Sequence, residues 1–349
     1  MKNEKDKIDL ADANFPTAKH ATLADVARHA NVSAMTVSKV LRGVGSISKD
    51  TRARVKASAE ALGYVTNGIA GALSAKKNTT VGIVIPSISD SVYSEIISAL
   101  SDSLTEAGLT LLISESNFSG QIEERQIRMI MSLRPAALIV TGGIERSISA
   151  EKLLKRYPAP ILQLWDADNP FGDATIGPSH LQAGRIAAEH FLKSGLNKIA
   201  YVGAELSKDI CARLRLEAFR ERLAEENIAL ECFVDEASPR QAASGETLVN
   251  QMISSGYKPN AIFFLNDSMA LGGLRALLKY GIKVPDEVSV LGFNGTSRLN
   301  TVQTQLTTIS MDRRAIGTTA GVALRAILDG KKPEKIPPTK LHILSGTTG

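Results

Sequence analysis

Five residues near the start of the chain, Ala34, Met35, Thr36, Ser38 and Lys39, sit in a run whose apolar members Val37, Val40 and Leu41 are spaced to turn inward. On a helix, that spacing leaves the five on the opposite or flanking faces, a short outward surface of hydroxyls, apolar groups and one cation. Such a helix, presented by a helix-turn-helix, fits the major groove of DNA. The charge balance agrees. Residues 1–79 carry 13 Lys and Arg against 7 Asp and Glu, whereas residues 80–349 carry 28 against 29, so the positive excess of the chain sits at its start. Arg28, Lys39, Arg42, Lys49, Arg52, Arg54 and Lys56 supply most of it, and such a patch attracts phosphates by releasing counterions. The rival is a small helical bundle that binds nothing, which the same pattern would also build.

The elements that must position these residues show in their caps and stops. Thr22 caps a first helix, and Asp25 three residues on completes a capping box. Leu23, Val26, Ala27 and Ala30 form its apolar stripe. Asn31 tolerates the left-handed turn that breaks the run, and Ser33 caps the second helix. A third helix starts at Ser48, runs along Val55, Ala59 and Leu62, and stops at Gly63. Three small helices around one core make a helix-turn-helix domain over residues 21–66.

The rest of the chain excludes more than it specifies. A length of 349 residues suggests two or three domains. No apolar run approaches the roughly 18 residues of a membrane span. The opening MKNEKDKIDLADANF mixes charges without an apolar core, which argues against export, and residues 1–20 read as a disordered tail. Cys211 and Cys232 cannot hold a metal cluster alone and suit a reducing cytoplasm, and His20, His29, His180, His190 and His342 show no metal-ligand spacing. No cofactor or metal is expected. Walker A, GxGxxG after the first strand, GxSxG and HExxH are all missing, which argues against an enzyme.

After Asn78, short apolar runs alternate with amphipathic segments. Strands are expected at Val81–Ile85, Thr110–Ser114, Ala136–Thr141, Ile161–Trp165, Ile199–Val202, Ala261–Leu265, Val288–Phe293 and Lys340–Leu344. Helices are expected near Val92–Ala107, Glu123–Ser132, Leu181–Ser194, Arg213–Glu226, Arg240–Ser254 and Ser268–Tyr280. Alternation of this kind implies parallel sheets covered on both faces, and the number of strands implies two doubly wound α/β subdomains with a ligand cleft between them.

TLADVARHANVSAMTVSKVL followed by SISKDTRARVKASAEALGYVTN resembles the DNA-binding head of the LacI/GalR family. The body continues the likeness in VGIVIPSISDSVYSEI, Ala137–Val140, ARLRLEAF, FLNDSMALGGLRAL, VPDEVSVLGFNG and LTTISMD, from about Thr22 to the end. The resemblance implies a homodimeric bacterial transcription factor with a periplasmic-binding-protein-like core. It places Ala34, Met35 and Lys39 at base-reading positions and Thr22, Ser33, Thr36 and Ser38 at phosphate positions, with Arg42 beside them. Ala34 and Met35 offer only apolar contact, for example to a thymine methyl, and Lys39 lacks the planar fork of the family's usual Arg; packing within the head is the rival for Met35. Residues 67–79 match the hinge helix and linker, with Asn67 and Ala70 on it and Leu73 at the minor-groove wedge position. Thr66 replaces the usual proline, and Gly68 and Gly71 each lower helix stability by about 1 kcal/mol, so this hinge is expected to fold only on DNA. A flexible linker that never touches DNA is its rival.

For the cleft the resemblance implies Ser89, Asp90, Tyr93 and Asp166 from an N-subdomain (about 80–177 plus 309–330), and Arg215, Asn266 and Asn294 from a C-subdomain (about 178–308 plus 338–349). Rivals stand beside several: Asp90 as a turn residue, Asp267 as a helix cap, Arg213 in place of Arg215, and Arg215 paired with Asp166 to close the cleft. Asn294 and Gly295 stand where sugar-binding members place aspartates, which makes room for an acidic ligand at Arg215. With LWDADNP and AMTVSK, this is similar to the gluconate-repressor branch and implies a sugar acid such as gluconate. The expected function is a cytoplasmic, nucleoid-associated repressor of carbohydrate or sugar-acid catabolism, gripping a near-palindromic operator under the control of that effector. The alternatives are a transport-type sugar-binding protein, a sugar-modifying enzyme with a helical appendage, and a catabolite-type regulator using a protein co-repressor. The chain ends soon after its last expected strand without a heptad tail, which favours a dimer.

Overall fold

The computed structural model describes residues 21–65, 78–296, 305–332 and 334–349. The tail expected at residues 1–20 and the hinge residues Asn67, Ala70 and Leu73 lie outside them. The chain divides into two compact units, Met1–Lys76 and Lys77–Gly349.

The first unit holds α1 (Leu23–His29), α2 (Ala34–Leu41) and α3 (Lys49–Ala61). The local chemistry sets each boundary. Thr22 and Asp25 form a reciprocal capping box on α1, Ser33 caps α2 through Thr36 N, and Ser48 caps α3 through Thr51 N. Asn31 takes φ 51° in the turn and Gly63 takes φ 59° after α3. Val26, Ala30, Val37, Val40 and Val55 are buried against one another, and His29 Nδ1 lies 3.0 Å from the buried Ser58 Oγ, tying α1 to α3.

The second unit is built on two sheets. The first has β1 (Thr80–Ile85), β2 (Thr110–Glu115), β3 (Ala137–Thr141), β4 (Ile161–Leu164) and β5 (Ala174–Ile176) in the order β2-β1-β3-β4-β5, all parallel. Helices α4 (Ser91–Glu106), α5 (Gly120–Ser132) and α6 (Ile148–Lys155) intervene between its strands. The second has β6 (Ile199–Ala204), β7 (Leu230–Asp235), β8 (Ala261–Phe264), β9 (Ser289–Asn294), β10 (Thr307–Met311) and β11 (Leu341–Leu344) in the order β11-β10-β9-β8-β6-β7. Only β11 runs antiparallel among the described strands. Its helices are α7 (His180–Lys193), α8 (Ile210–Ala224), α9 (Ala242–Ser254) and α10 (Asp267–Lys279).

A last helix, α11 (Arg313–Leu328), returns to pack on α4, so the chain passes between the subdomains three times: after β5, after β10 and before β11. β10 lies whole in the second sheet, so the second passage falls after Met311 rather than at residue 309. Among the elements absent from the expected strands and helices are β7, α6 and α11. β7 reads LECFVD, an edge strand in which Glu231 and Asp235 cut the apolar run to the three residues Cys232–Val234. α6 is only 8 residues long, and α11 spreads its buried positions over Gly317, Ala320 and Gly321 as well as Ile316 and Leu324, a stripe too small-sided to read as apolar.

Candidate functional site

The first candidate surface is the outward face of α2. Its inward residues Val37 and Val40 are buried, whereas Met35 is 67% exposed and Ala34 and Lys39 are exposed too. Packing within the head is therefore not what holds Met35. Thr36 and Ser38 are half-buried at the edge of that face. The hydroxyls of Thr22 and Ser33 are engaged in caps: Thr22 Oγ1 donates to Asp25 Oδ2 at 2.6 Å, and Ser33 Oγ accepts from Thr36 N at 3.2 Å and shares a 2.9 Å bond with Thr36 Oγ1. The Thr22 bonds are also the main cause that holds the Asp25 carboxyl below its ordinary value. Arg42 folds back, its Nε donating to Ser38 O at 3.2 Å, while Lys49, Arg54 and Lys56 point their charge at solvent.

The second candidate is the cleft of the larger unit, at the carboxyl ends of both sheets. An outer cavity of about 570 Å³ is lined by Ser87, Ser89, Asp90, Asn117 and Phe118 from the first subdomain, and by Glu205, Arg240, Gln241, Asn266 and Asn294 from the second. An inner pocket of about 30 Å³ adjoins it, lined also by Tyr93, Trp165, Asp209, Arg215 and Phe293. Asp90, Phe118, Arg240, Asn266 and Asn294 line both.

Strand ends and helix starts put these groups in place. Asp90 caps α4 through Val92 N at 3.0 Å, and burial pushes its carboxyl up from the usual range. Tyr93 follows in the first turn, buried, its ring 5.9 Å from that of Trp165. Asn266 caps α10, accepting from Met269 N at 2.8 Å and donating to Arg240 O at 3.3 Å. Asn294 ends β9 at φ 112°, and its buried Oδ1 meets no partner among the described residues. Its carbonyl and that of Gly295 accept from Arg313, which also grips Glu95 of α4 with Nε and Nη2 at 3.1 Å each. Thus α11 fastens the Asn294 turn to the opposite subdomain.

Arg215, on α8, is 3% exposed and stacks on Phe293, with the guanidinium carbon 3.7 Å from the ring centre. Its Nη2 donates to Leu265 O and its Nη1 to His180 Nδ1, both at 3.0 Å. No carboxylate among the described residues pairs with it, and its buried Nε has no hydrogen-bond partner. Burial draws the guanidinium down from its ordinary value. His180 completes the cradle: its Nε2 lies 2.9 Å from Trp165 O, and its ring stacks with Trp165 and Phe293 at 5.6 and 5.9 Å.

Several expectations change here. Asp166 lines neither cavity. Its oxygens accept from Asp168 N, Asn169 N and Asn169 Nδ2 at 3.0–3.1 Å, shaping the turn after β4, and Trp165 stands at the pocket instead. Arg215 consequently does not pair with Asp166. Arg213 points away, to the carbonyls of Leu206 and Ser207. Asp267 is not the cap of α10; it is buried beneath the site, accepting from Thr308 Oγ1 at 2.6 Å and from Thr296, and burial pushes it up to about 6. Phe118, Glu205, Asp209, Trp165, His180 and Arg240 were not anticipated. Arg240 follows β7, the strand that was missed, and a strand left out takes its carboxyl-end loop with it.

The head and body each match a known sequence family: the bacterial regulatory proteins of the lacI family over residues 22–67, and the periplasmic binding protein-like domain over residues 188–344. The HTH-type transcriptional regulator GntR of Pseudomonas aeruginosa is 35% identical over 324 residues, 92% of this chain and 93% of that protein. A LacI-family transcriptional regulator from Silicibacter pomeroyi superposes with TM-score 0.86 at 32% identity, covering 94% of this chain and 99% of that one. The lac repressor dimer bound to operator and the anti-inducer ONPF superposes with TM-score 0.77 at 28% identity, covering 95% and 99%.

Proposed function

The chain belongs to the LacI family of bacterial regulatory proteins, and from that premise we propose that it is a repressor of carbohydrate or sugar-acid catabolism, its grip on a near-palindromic operator set by a sugar acid such as gluconate. The exposed face of α2 supplies apolar groups and Lys39 for base edges and hydroxyls for phosphates. A homodimer holds two such helices at fixed spacing, as a palindrome requires. The cleft is a receptor rather than a catalytic centre, and the protein works in the cytoplasm.

One observation carries the choice of an acid. Arg215 is a buried cation that no carboxylate of the described residues contacts, Asp209 acting on it only from across the inner pocket, and its Nε stands unpartnered there. A buried charge without a counter-ion is costly, and a ligand carboxylate removes that cost. Asn294, with a free acceptor and no charge, receives a ligand hydroxyl there, whereas an aspartate would repel the acid. A hydroxylated acid meets both needs; a neutral hexose leaves the cation unmatched.

The test pairs two measurements on the full chain. Calorimetry with gluconate, 2-ketogluconate and glucose should show the acids bound in preference, and Arg215→Gln should weaken gluconate about 10- to 100-fold, the loss expected for charge-assisted hydrogen bonds. Selection of duplexes from a random pool should return a near-palindrome whose binding responds to gluconate. Binding of neutral sugars alone would overturn the acid; absence of any preferred duplex would overturn the regulator.

A further inference from the structure

The cleft contains a second arginine whose charge, unlike that of Arg215, is met by carboxylates, although its buried Nε likewise has no hydrogen-bond partner. Arg240, in the segment between β7 and α9, is matched twice over. Its Nη1 donates to Asp209 Oδ2 at 2.6 Å, its Nη2 donates to Glu205 O at 3.0 Å, and the Glu205 carboxylate stands 3.7 Å from its Nε. An acid arriving at Arg240 would face two carboxylates already there. Binding the anion is therefore the work of Arg215, and Arg240 is held for something else.

What it is held against lies across the cleft. The Arg240 guanidinium carbon sits 4.0 Å from the centre of the Phe118 ring, and Phe118 belongs to the opposite subdomain, in the loop after β2. That loop is bent to deliver it: Asn117 and Phe118 take φ 51° and 55°, two successive non-glycine residues in the left-handed region. Both members of the stack line the outer cavity and the inner pocket alike, so they stand at the neck where one opens into the other. The inner pocket beneath them, about 30 Å³, has room for the acid group of a ligand on Arg215, so the rest of that ligand passes between them into the outer cavity.

We propose that Arg240, clamped by Asp209 and Glu205, is a positioning residue that stacks on Phe118 to close the neck around the captured effector, so that capture and the drawing together of the two subdomains become one event. This rests on the receptor assignment above. Arg240 holds the two lobes in register around the ligand without binding its acid group.

The sole tryptophan of the chain, Trp165, lines the inner pocket and reports directly on the neck. Stopped-flow dissociation of gluconate, followed by Trp165 fluorescence, would be compared in the wild type, Phe118→Leu, Arg240→Gln and the double variant. Each single substitution should speed release about tenfold, and the double should be no faster than either, as for one shared contact. Phe118→Tyr, which keeps the ring, should release at the wild-type rate. Arg240→Lys, which keeps the charge but not the planar stack, should behave like Arg240→Gln. Additive effects, or wild-type release from Phe118→Leu, would overturn the proposal. If gluconate leaves the Trp165 signal of the wild type unchanged, the acid-receptor assignment fails separately. The neck is then read without ligand, through acrylamide quenching of Trp165. Phe118→Leu and Arg240→Gln should both raise it, and unchanged quenching in both would overturn the clamp on its own.

Discussion

His180 is fixed in one protonation state by its two partners. Nδ1 faces an Arg215 N–H at 3.0 Å and must accept; Nε2 faces the Trp165 carbonyl at 2.9 Å and must donate. A second proton would set N–H against N–H in a buried site. Burial first, and the Arg215 charge second, draw its pKa down to about 4 from 6.5. A histidine lowered on folding contributes stability in full above pH 6.5, and this is lost as pH falls through 6.5 to 4. Asp267 works in the opposite sense. Its carboxyl is raised on folding to about 6, so its contribution is present below 3.8 and lost as pH rises to 6. The two oppose one another in the same window, so the test lies in a difference. Urea unfolding should show His180→Gln less stable than wild type at pH 7, with the gap narrowing by on the order of 3 kcal/mol by pH 4; a gap constant with pH would refute the assigned state. Nothing in the sequence marks His180 for this part, because its partners stand 35 and 15 positions away, Arg215 on the next helix, α8, and Trp165 across the first passage between subdomains. The resemblance placed Asn266 and Asn294 in the cleft, and each follows an expected strand, whose carboxyl end in sequence is its carboxyl end in space.

Three helix pairs in the larger unit meet backbone to backbone through glycine, and these crossings place the ligand-facing residues. A Cβ on Gly184 of α7 would lie 2.2 Å from Arg215 O of α8; one on Gly245 of α9 would lie 2.1 Å from Met269 O of α10; and one on Gly317 of α11 would lie 2.2 Å from Ile96 O of α4. The first of these touches Arg215 itself. Gly184→Ala must push α8 away from α7, at a cost of about 1–3 kcal/mol for overpacking, and it displaces the guanidinium from His180 and Phe293. Calorimetry should find both a lower melting temperature and weaker gluconate binding. Gly195→Ala, a site at φ 70° with no neighbour within 4 Å, should lower stability alone. Equal affinity in Gly184→Ala would show that the crossing does not set the position of Arg215. The contrast with the head is instructive. Its three caps are bonds between residues three apart, and such bonds can be read from sequence. A helix crossing joins residues tens of positions apart, and a lone glycine in AGRIAAEHF carries no sign of what it will approach.

The charge of the whole molecule is divided as its cores are. The small unit closes on its own buried valines and alanines and carries the positive excess, while the larger unit is electrically balanced and carries the cleft. Salt and effector should therefore act on operator binding through separate parts. Phosphate contacts made by the head release counterions, so log affinity should fall linearly with log salt. Gluconate bears on the other unit and should shift that line without changing its slope, provided the same phosphates are contacted with and without it. The shift is a coupling free energy, typically about 1–3 kcal/mol, and it must be reciprocal: operator has to change gluconate affinity by the same factor that gluconate changes operator affinity. Fluorescence anisotropy of a labelled operator at four salt concentrations, with and without gluconate, gives the first factor, and gluconate titration of the preformed complex gives the second. Parallel lines with equal factors follow from a balanced receptor steering a basic reader. Gluconate that altered the salt slope would mean the ligand changes which phosphates are held, and the receptor would then be acting by releasing contacts of the head one by one rather than by shifting a two-state balance.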